Sequence, residues 1–251
     1  MKKIMKQEED AYGQEVWAFY NGKKSFEIVE RDDGYFDASS GSRVYFSSYE
    51  EWSSKEKKAM EFVNGRVLDI GCGAGRHPLY LQEKGVDVLG IDISPLAIKV
   101  CHLRGLKKAE VMSIEEVNFK PNSFDTILMM GNNFGLFGSF KKAQRLLKRF
   151  HKMTSKNALI IAETNDPYKT DNPAHLEYHE LNRKRGRMSG QLRIRIRFGK
   201  YVSRWFDYLI VSKEEMKEIL RGTGWTVKRF IDSGDSTYTA IIEKETPFSN
   251  S

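Results

Sequence analysis

Residues Val67-Leu-Asp-Ile-Gly-Cys-Gly-Ala-Gly75 decide how this chain is read. Residues 67–70 are a short apolar run carrying one carboxylate, the pattern of a buried strand. The glycines at 71, 73 and 75 make a loop whose backbone can come close to a ligand, because no Cβ stands in the way. A helix follows, and Pro78 can enter it only because it lies in the first turn, where its missing N–H has no partner to lose. Gly85 closes that helix, and Val86-Asp-Val-Leu-Gly-Ile-Asp92 is a second strand ending in an acid. Ser94-Pro95 is an N-cap followed by proline at the first helical position. Strand, glycine loop, helix and acid-terminated strand together make a nucleotide-binding arrangement, in which the carboxylate can accept hydrogen bonds from a ribose diol.

The rhythm continues outward. Strands are expected at 110–113, 124–130 and 158–163, with a helix over 139–153, and this alternation predicts a parallel sheet covered by helices on both faces. It breaks after Thr164 into a turn-rich stretch, a polar helix ending near Arg185 and the strand Gly190-Gln-Leu-Arg-Ile-Arg-Ile-Arg-Phe198, with 201–211 as its antiparallel partner across Gly199-Lys200. Ser212-Lys-Glu-Glu215 is a capping box, and 226–232 with 238–244 read as a closing hairpin. Before the glycine loop, a helix is expected over 8–20, loop over 31–42, and a second helix starting at Ser53 or Ser54 and ending before Gly65.

The glycine spacing selects the nucleotide. A dinucleotide fold wants G-x-G-x-x-G, whereas this loop is G-x-G-x-G preceded by Asp69. In this it resembles the first motif of the class I S-adenosylmethionine-dependent methyltransferases, and the similarity covers roughly 65–163 and, more weakly, 211–244. The resemblance implies an α/β fold, a Rossmann-like seven-stranded, mostly parallel sheet with helices on both faces. The N-terminal residues 1–62 would form a helical cap, and 63–246 the methyltransferase domain, with an inserted hairpin or lid at 166–207 after the fifth strand. It also implies S-adenosylmethionine as cofactor and S-adenosylhomocysteine as product. Asp69, Gly71, Cys72 and Gly73 would contact the amino-acid portion, Asp92 the ribose hydroxyls and Ile93 the adenine. The family often has an aspartate after the third strand; here Ser113 stands there, with Ile114 beside it. Gly131, Asn132 and Asn133 fall where the family places contacts to methionine and substrate.

Methyl transfer is an in-line displacement, so the protein's main task is to align the reacting atoms; a base is needed only where the nucleophile arrives protonated. Candidates for that role are Asn132, Glu163, Asp166, Tyr168, His175 and His179. No metal is expected: His175 and His179 share a helix face with Glu177 and Glu180 nearby, but such a pair without cysteine is more often a surface feature than a metal site. The chain has no Asp/Asn-Pro-Pro-aromatic tetrapeptide after the fourth strand, which disfavours amino-directed methylation of adenine or glutamine, and no Pro-Cys or Thr-Cys nucleophile there, which argues against cytosine C5 chemistry.

At 251 residues with 40% hydrophobic content the chain can bury a real core. Its first ten residues hold no hydrophobic signal core and its two cysteines, Cys72 and Cys101, make no disulfide framework, so a cytoplasmic location without membrane contact is expected, as monomer or dimer. The net charge is +7, yet residues 183–204 alone hold nine basic side chains and no acidic one, so the positive charge is local. On the strand within this run, Arg193, Arg195 and Arg197 share one face and Leu192, Ile194, Ile196 and Phe198 the other. The arginines could face solvent, collect an anionic substrate at the chamber mouth, or track RNA phosphates. The expected function is methyl transfer to oxygen or nitrogen of a small polar or acidic molecule. An RNA methyltransferase using 183–204 is the alternative, and a non-catalytic S-adenosylmethionine-binding protein the rival from another class.

Overall fold

The computed structural model describes residues 5–38, 41–232 and 234–245. The expected outer limits of the cap and the domain, residues 1 and 246, lie outside these, as do Ser39 and Ser40 of the stretch read as loop. The N-terminal part holds helix α1 (Ala11–Tyr20), strands β1 (Ile28–Arg31) and β2 (Phe36–Ala38), and helices α2 (Arg43–Phe46) and α3 (Ser54–Met60). The alternating part then runs β3 (Val67–Ile70), α4 (Arg76–Glu83), β4 (Val88–Asp92), α5 (Pro95–Leu103), β5 (Ala109–Val111), β6 (Phe124–Met129), α6 (Phe140–Met153) and β7 (Thr154–Asn165). After it come α7 (Pro173–Lys184), β8 (Gln191–Phe198), β9 (Tyr201–Val202), β10 (Phe206–Leu209), α8 (Lys213–Leu220), β11 (Trp225–Asp232) and β12 (Thr237–Lys244).

Seven strands form one sheet in the order β11-β12-β7-β6-β3-β4-β5, parallel except at β12, which runs antiparallel to both of its neighbours. The chain reverses strand order between β3 and β6, so the crevice at the carboxyl ends of β3, β4 and β6 is where such a sheet takes a ligand. Each face of the sheet buries its own apolar cluster, one under α6 and α8 and the other under α3, α4 and α5. Helix α6 shows why: Ala143, Leu146, Leu147, Phe150 and Met153 recur at helical spacing and are all buried, while Ser139 caps the first turn by accepting from Lys142 N. No helix among the described residues is long and apolar enough to cross a membrane.

The inserted hairpin is not a separate flap. β8 pairs on one side with β10 and, at its far end, β9, and on the other with β1, which pairs in turn with β2, making a second sheet ordered β10-β8-β1-β2 with β9 on β8. Two sequence expectations change here. The stretch read as loop between residues 31 and 42 begins as the turn of the β1–β2 hairpin, with Gly34 N donating to Arg31 O. The single partner strand expected over 201–211 is broken at Ser203, whose hydroxyl accepts from Ile196 N and replaces a ladder bond. The cap and the insertion are thus one substructure, held by main-chain pairing between residues 165 positions apart, such as Glu30 and Arg195.

Candidate active site

The loop after β3 is left-handed at Gly71, Gly73 and Gly75, with φ of +75°, +55° and +86°, a region that only glycine enters without strain. A Cβ at Gly71 would also lie 2.6 Å from Asn133 Nδ2. That amide has a use: it donates to Ile70 O at 3.0 Å and to Gly71 O at 2.8 Å, tying the end of β6 to the end of β3. Gly73 N donates to Asp92 Oδ2 at 3.0 Å and Ser94 N to Asp92 Oδ1 at 2.9 Å, so the acid at the end of β4 braces both loops. Burial nevertheless pushes the Asp92 carboxyl up to about 6. Asp69 is buried more deeply, its Oδ2 has no hydrogen-bond partner, and burial followed by the nearby Asp92 charge raises it to about 8. Next to these acids Ile93 is 53% exposed, an apolar side chain standing in solvent at the carboxyl edge of the sheet.

Cys72 and Cys101 are both buried, and Cys101 Sγ donates to Gly73 O, so both shape the loop. Ser113 is engaged locally: its hydroxyl accepts from Glu115 N at 3.3 Å and its own N–H goes to Glu116 Oε2 at 2.9 Å. Ile114 points into the core.

Helix α1 lies over this edge. Its N-cap Asp10 accepts from Gly13 N, Ser94 Oγ and Leu96 N, joining the cap to the turn after β4. Two residues on, Tyr12 covers the loop so closely that a side chain at Gly73 would run into its hydroxyl. Tyr12 meets the Tyr45 ring edge-on at 5.3 Å, and Tyr45 Oη donates to Glu27 Oε1 at 2.6 Å. None of Asp10, Tyr12, Glu15, Glu27 or Tyr45 was marked by the sequence pattern, because each acquires its place only through tertiary contact.

At the carboxyl ends of β6 and β7 a second group assembles. Asn132 is left-handed at φ +65°; its N–H donates to Glu163 Oε1 at 3.2 Å and its carbonyl accepts from Tyr208 Oη at 2.6 Å. Gly135 leaves room for the Tyr208 ring, since a side chain there would occupy it. Lys55 Nζ, from α3, is 3.4 Å from Glu163 Oε2, both side chains being largely buried. The structure therefore brings Asn132, Asn133 and Glu163 to one place, next to Gly131, and adds Lys55 and Tyr208, which sequence reasoning missed. The remaining candidates are elsewhere. Tyr168 donates to Glu215 Oε1 and its N–H to Asp166 Oδ1, while His175 contacts Thr170 and the Tyr35 ring. His179 packs against the Tyr168 ring, and burial lowers the pKa of both histidines, favouring the neutral rings. Among the described residues no three histidine, cysteine or carboxylate side chains gather to hold a metal ion.

The arginine stripe points the other way. In the antiparallel pairing Leu192 lies opposite Tyr208, so the apolar face of β8 is the one that Tyr208 turns toward Asn132, and the arginines occupy the reverse face. There Arg195 makes a bidentate pair with Glu30 at 2.6 and 2.8 Å, Arg197 also pairs with Glu30, and Arg193 Nη1 is 3.3 Å from Asp207 Oδ1. The two guanidinium groups hold the Glu30 carboxyl down to about 2. The expectation that Arg193, Arg195 and Arg197 collect an anionic substrate is thus replaced by cross-strand ion pairs on the far side of the sheet. Glu30→Ala should free two of them: binding to single-stranded RNA, measured against salt, is expected to gain a log–log slope steeper by about 1.4, at about 0.7 per added phosphate contact. An unchanged slope would show that the stripe is shielded by more than Glu30.

A family model described as "Methyltransferase domain" matches residues 67–157. Among curated proteins the chain is similar to the ubiquinone biosynthesis O-methyltransferase of Xanthomonas euvesicatoria pv. vesicatoria, 35% identical over 77 residues, which is 28% of this chain and 32% of that protein. The chain thus spans about a third of the length of that curated relative. Among solved structures it is similar to a SAM-dependent methyltransferase from Bacteroides fragilis in complex with S-adenosyl-L-homocysteine, with a TM-score of 0.82 and 24% identity over 97% of this chain and 98% of that one. A SAM-dependent methyltransferase from Methanosarcina mazei is similar over 73% of this chain and 95% of its own, with a TM-score of 0.58 and 18% identity. These likenesses establish the fold.

Proposed function

On a chain that carries a methyltransferase domain in the class I, Rossmann-like fold, we propose an S-adenosylmethionine-dependent methyltransferase acting on a small polar molecule, with the cap and the insertion, 1–62 and 166–207, closing over the site. One observation carries it: the Gly71–Gly73 backbone and the Asp69 and Asp92 carboxyls converge at adjacent strand ends, with an unpartnered acid oxygen and the exposed Ile93 beside them. These residues suit the cofactor in the Bacteroides relative's complex. Asp69 and the backbone of the glycine loop would hold its amino-acid portion, Asp92 its ribose hydroxyls and Ile93 its adenine. When bound, that cofactor supplies an electrophilic methyl group on a positively charged sulfur. The chain supplies position: Asn132, Glu163, Lys55 and Tyr208 form a fixed polar group at the ends of β6 and β7, where an acceptor would be oriented. The buried, reduced cysteines suit a cytoplasmic enzyme. RNA is the less favoured acceptor, because the arginines that would track it are paired with Glu30 and Asp207.

Calorimetric titration with S-adenosylhomocysteine should give one site per chain, and labelled S-adenosylmethionine should transfer its methyl group to a component of a small-molecule extract and not to purified RNA. Absence of S-adenosylhomocysteine binding refutes the reading, and labelling confined to RNA refutes the choice of acceptor.

A further inference from the structure

We propose that the end of the second sheet where β1 starts and β8 finishes docks on an anionic lipid surface. The inference goes beyond the methyltransferase reading and does not depend on it. In the antiparallel pairing Ile28 lies opposite Arg197, so the segment leading into β1 and the turn leaving β8 emerge side by side. Between them is an open cleft of about 330 Å³, walled by Lys24, Phe26, Ile28, Arg197 and Phe198, with no carboxylate in its lining. Phe26 is 56% exposed, an aromatic side chain left in water beside this cleft. The cations here are not spent. Lys23 and Lys24 are exposed and make no ion pair among the described residues, and Lys200, exposed at the tip of the β8–β9 turn, lies over the Tyr201 ring at 5.6 Å. Arg197 gives its Nε to Glu30 and leaves both Nη groups without a hydrogen-bond partner among the described residues.

Charge and apolar surface occur here in the combination that a bilayer answers. Lysine and arginine heads are drawn to an anionic leaflet within a Debye length of it. An exposed phenylalanine beside them enters the boundary between headgroups and acyl chains, and gains what an apolar side chain gains on leaving water. A free phosphate in the cleft would meet the cations and leave Phe26 wet. Single-stranded RNA takes a track of phosphate contacts together with stacked bases. The arginines that would make such a track along β8 are engaged by Glu30 and Asp207, and the free cations are gathered at this one end. Glu30, the carboxylate beside Arg197, is 8% exposed beneath two guanidinium groups, so it is screened from an anionic surface. At the β1–β2 turn, by contrast, Asp32, Asp33 and Asp37 are exposed, which turns that end of the sheet away from the same surface. In sequence Lys23-Lys24 and Gly199-Lys200 are separate turns, and only the pairing of β1 with β8 joins them. A peripheral contact of this kind replaces the expectation of a chain without membrane contact, and needs no spanning helix.

The test is flotation of the full chain with vesicles of phosphatidylcholine alone and of phosphatidylcholine and phosphatidylglycerol in equal parts, titrated with lipid at low and at high salt. Binding is expected to the mixed vesicles only, and to weaken as salt rises. Lys23→Ala with Lys24→Ala, and separately Phe26→Ser, should each weaken it by about tenfold, with the melting temperature and S-adenosylhomocysteine affinity unchanged because these side chains are exposed. Lys107→Ala with Lys120→Ala removes the same charge from exposed sites elsewhere and should leave binding in place. The proposal is overturned if the mixed vesicles are not bound, or if Phe26→Ser binds them as the parent chain does. It is overturned too if the Lys107 and Lys120 variant loses as much as the Lys23 and Lys24 variant, since the attraction is then net charge alone. Inorganic phosphate and single-stranded oligouridylate are the competing arms. Phosphate displacing vesicles better than chloride at equal ionic strength makes the cleft a free-anion site, and oligouridylate displacing them through Lys23, Lys24 and Phe26 makes this end an RNA site; either result overturns the lipid assignment. Each of these outcomes leaves S-adenosylhomocysteine binding, and with it the methyltransferase reading, untouched.

Discussion

Asp92→Ala is expected to weaken S-adenosylhomocysteine binding by two to three orders of magnitude. Two effects act together. A carboxylate at the end of β4 that accepts from both ribose hydroxyls makes hydrogen bonds to a charged group, each worth about 1.5–3 kcal/mol, and about 1.4 kcal/mol corresponds to a factor of ten. The same carboxylate accepts from Gly73 N and Ser94 N, so its removal also releases the loop that must hold the amino-acid portion. Asp92→Asn separates the two, because the amide keeps its shape and one acceptor oxygen; a loss of about tenfold is expected of it, being one weakened bond out of several. Calorimetric affinities of the two variants decide the matter. A value for Asp92→Ala within threefold of the parent chain would remove Asp92 from the cofactor site.

What could be read from sequence was chemistry that needs neighbours in the chain. A glycine loop must be contiguous, and a cap must precede its helix: Ser94 accepts from Ala97 N and Ser212 from Glu215 N, each within three residues. The strands of the parallel sheet showed themselves as apolar runs because both of their faces are buried. The arginine stripe is the opposite case. Its alternation correctly predicted a strand with one apolar face, but its destination depended on Glu30, a residue 165 positions away, which no local pattern ties to it. Glu30 is also the reason a net charge of +7 says little about the crevice: the basic run is answered across the second sheet, while the strand ends carry buried acids. The acidic pair of the cap was illegible for a similar reason. Glu15, Glu27, Ser42 and Tyr45 come from α1, the segment before β1, and α2, and they meet only in the folded cap, which is seated by the pairing of β1 with β8 and by the bonds of Ser94 and Leu96 to Asp10.

Those buried acids predict how stability depends on pH. Glu15, Asp69 and Asp92 all have raised proton affinity in the folded chain, at about 9, 8 and 6 against 4.5, 3.8 and 3.8 when unfolded. The folded state therefore binds more protons than the unfolded state between these limits. Their contribution to stability is whole below about pH 4 and is lost as pH rises to the folded values. Glu30 and Asp125, held near 2 by arginines, and His77, lowered to about 3 by burial, act in the opposite sense and only in acid. Between pH 7 and 9 the slope belongs to Glu15 and Asp69. Among the described residues the titratable groups facing Glu15 are Glu27, Tyr45 and Tyr12, and the charge facing Asp69 is Asp92, all of which oppose its ionisation. Each can cost at most about 1.4 kcal/mol per pH unit, and a chain of this length melts about 2–4 °C lower per kcal/mol. The melting temperature of the ligand-free protein should thus fall by on the order of 10 °C from pH 7 to pH 9. Glu15→Gln cannot lose the proton, and should remove roughly half of that fall while leaving the pH 7 value in place; Asp69→Asn should remove much of the rest. A melting temperature that is flat over this range, or a slope that neither substitution alters, would mean that both acids are compensated in the folded chain and that the cap is not held by a proton.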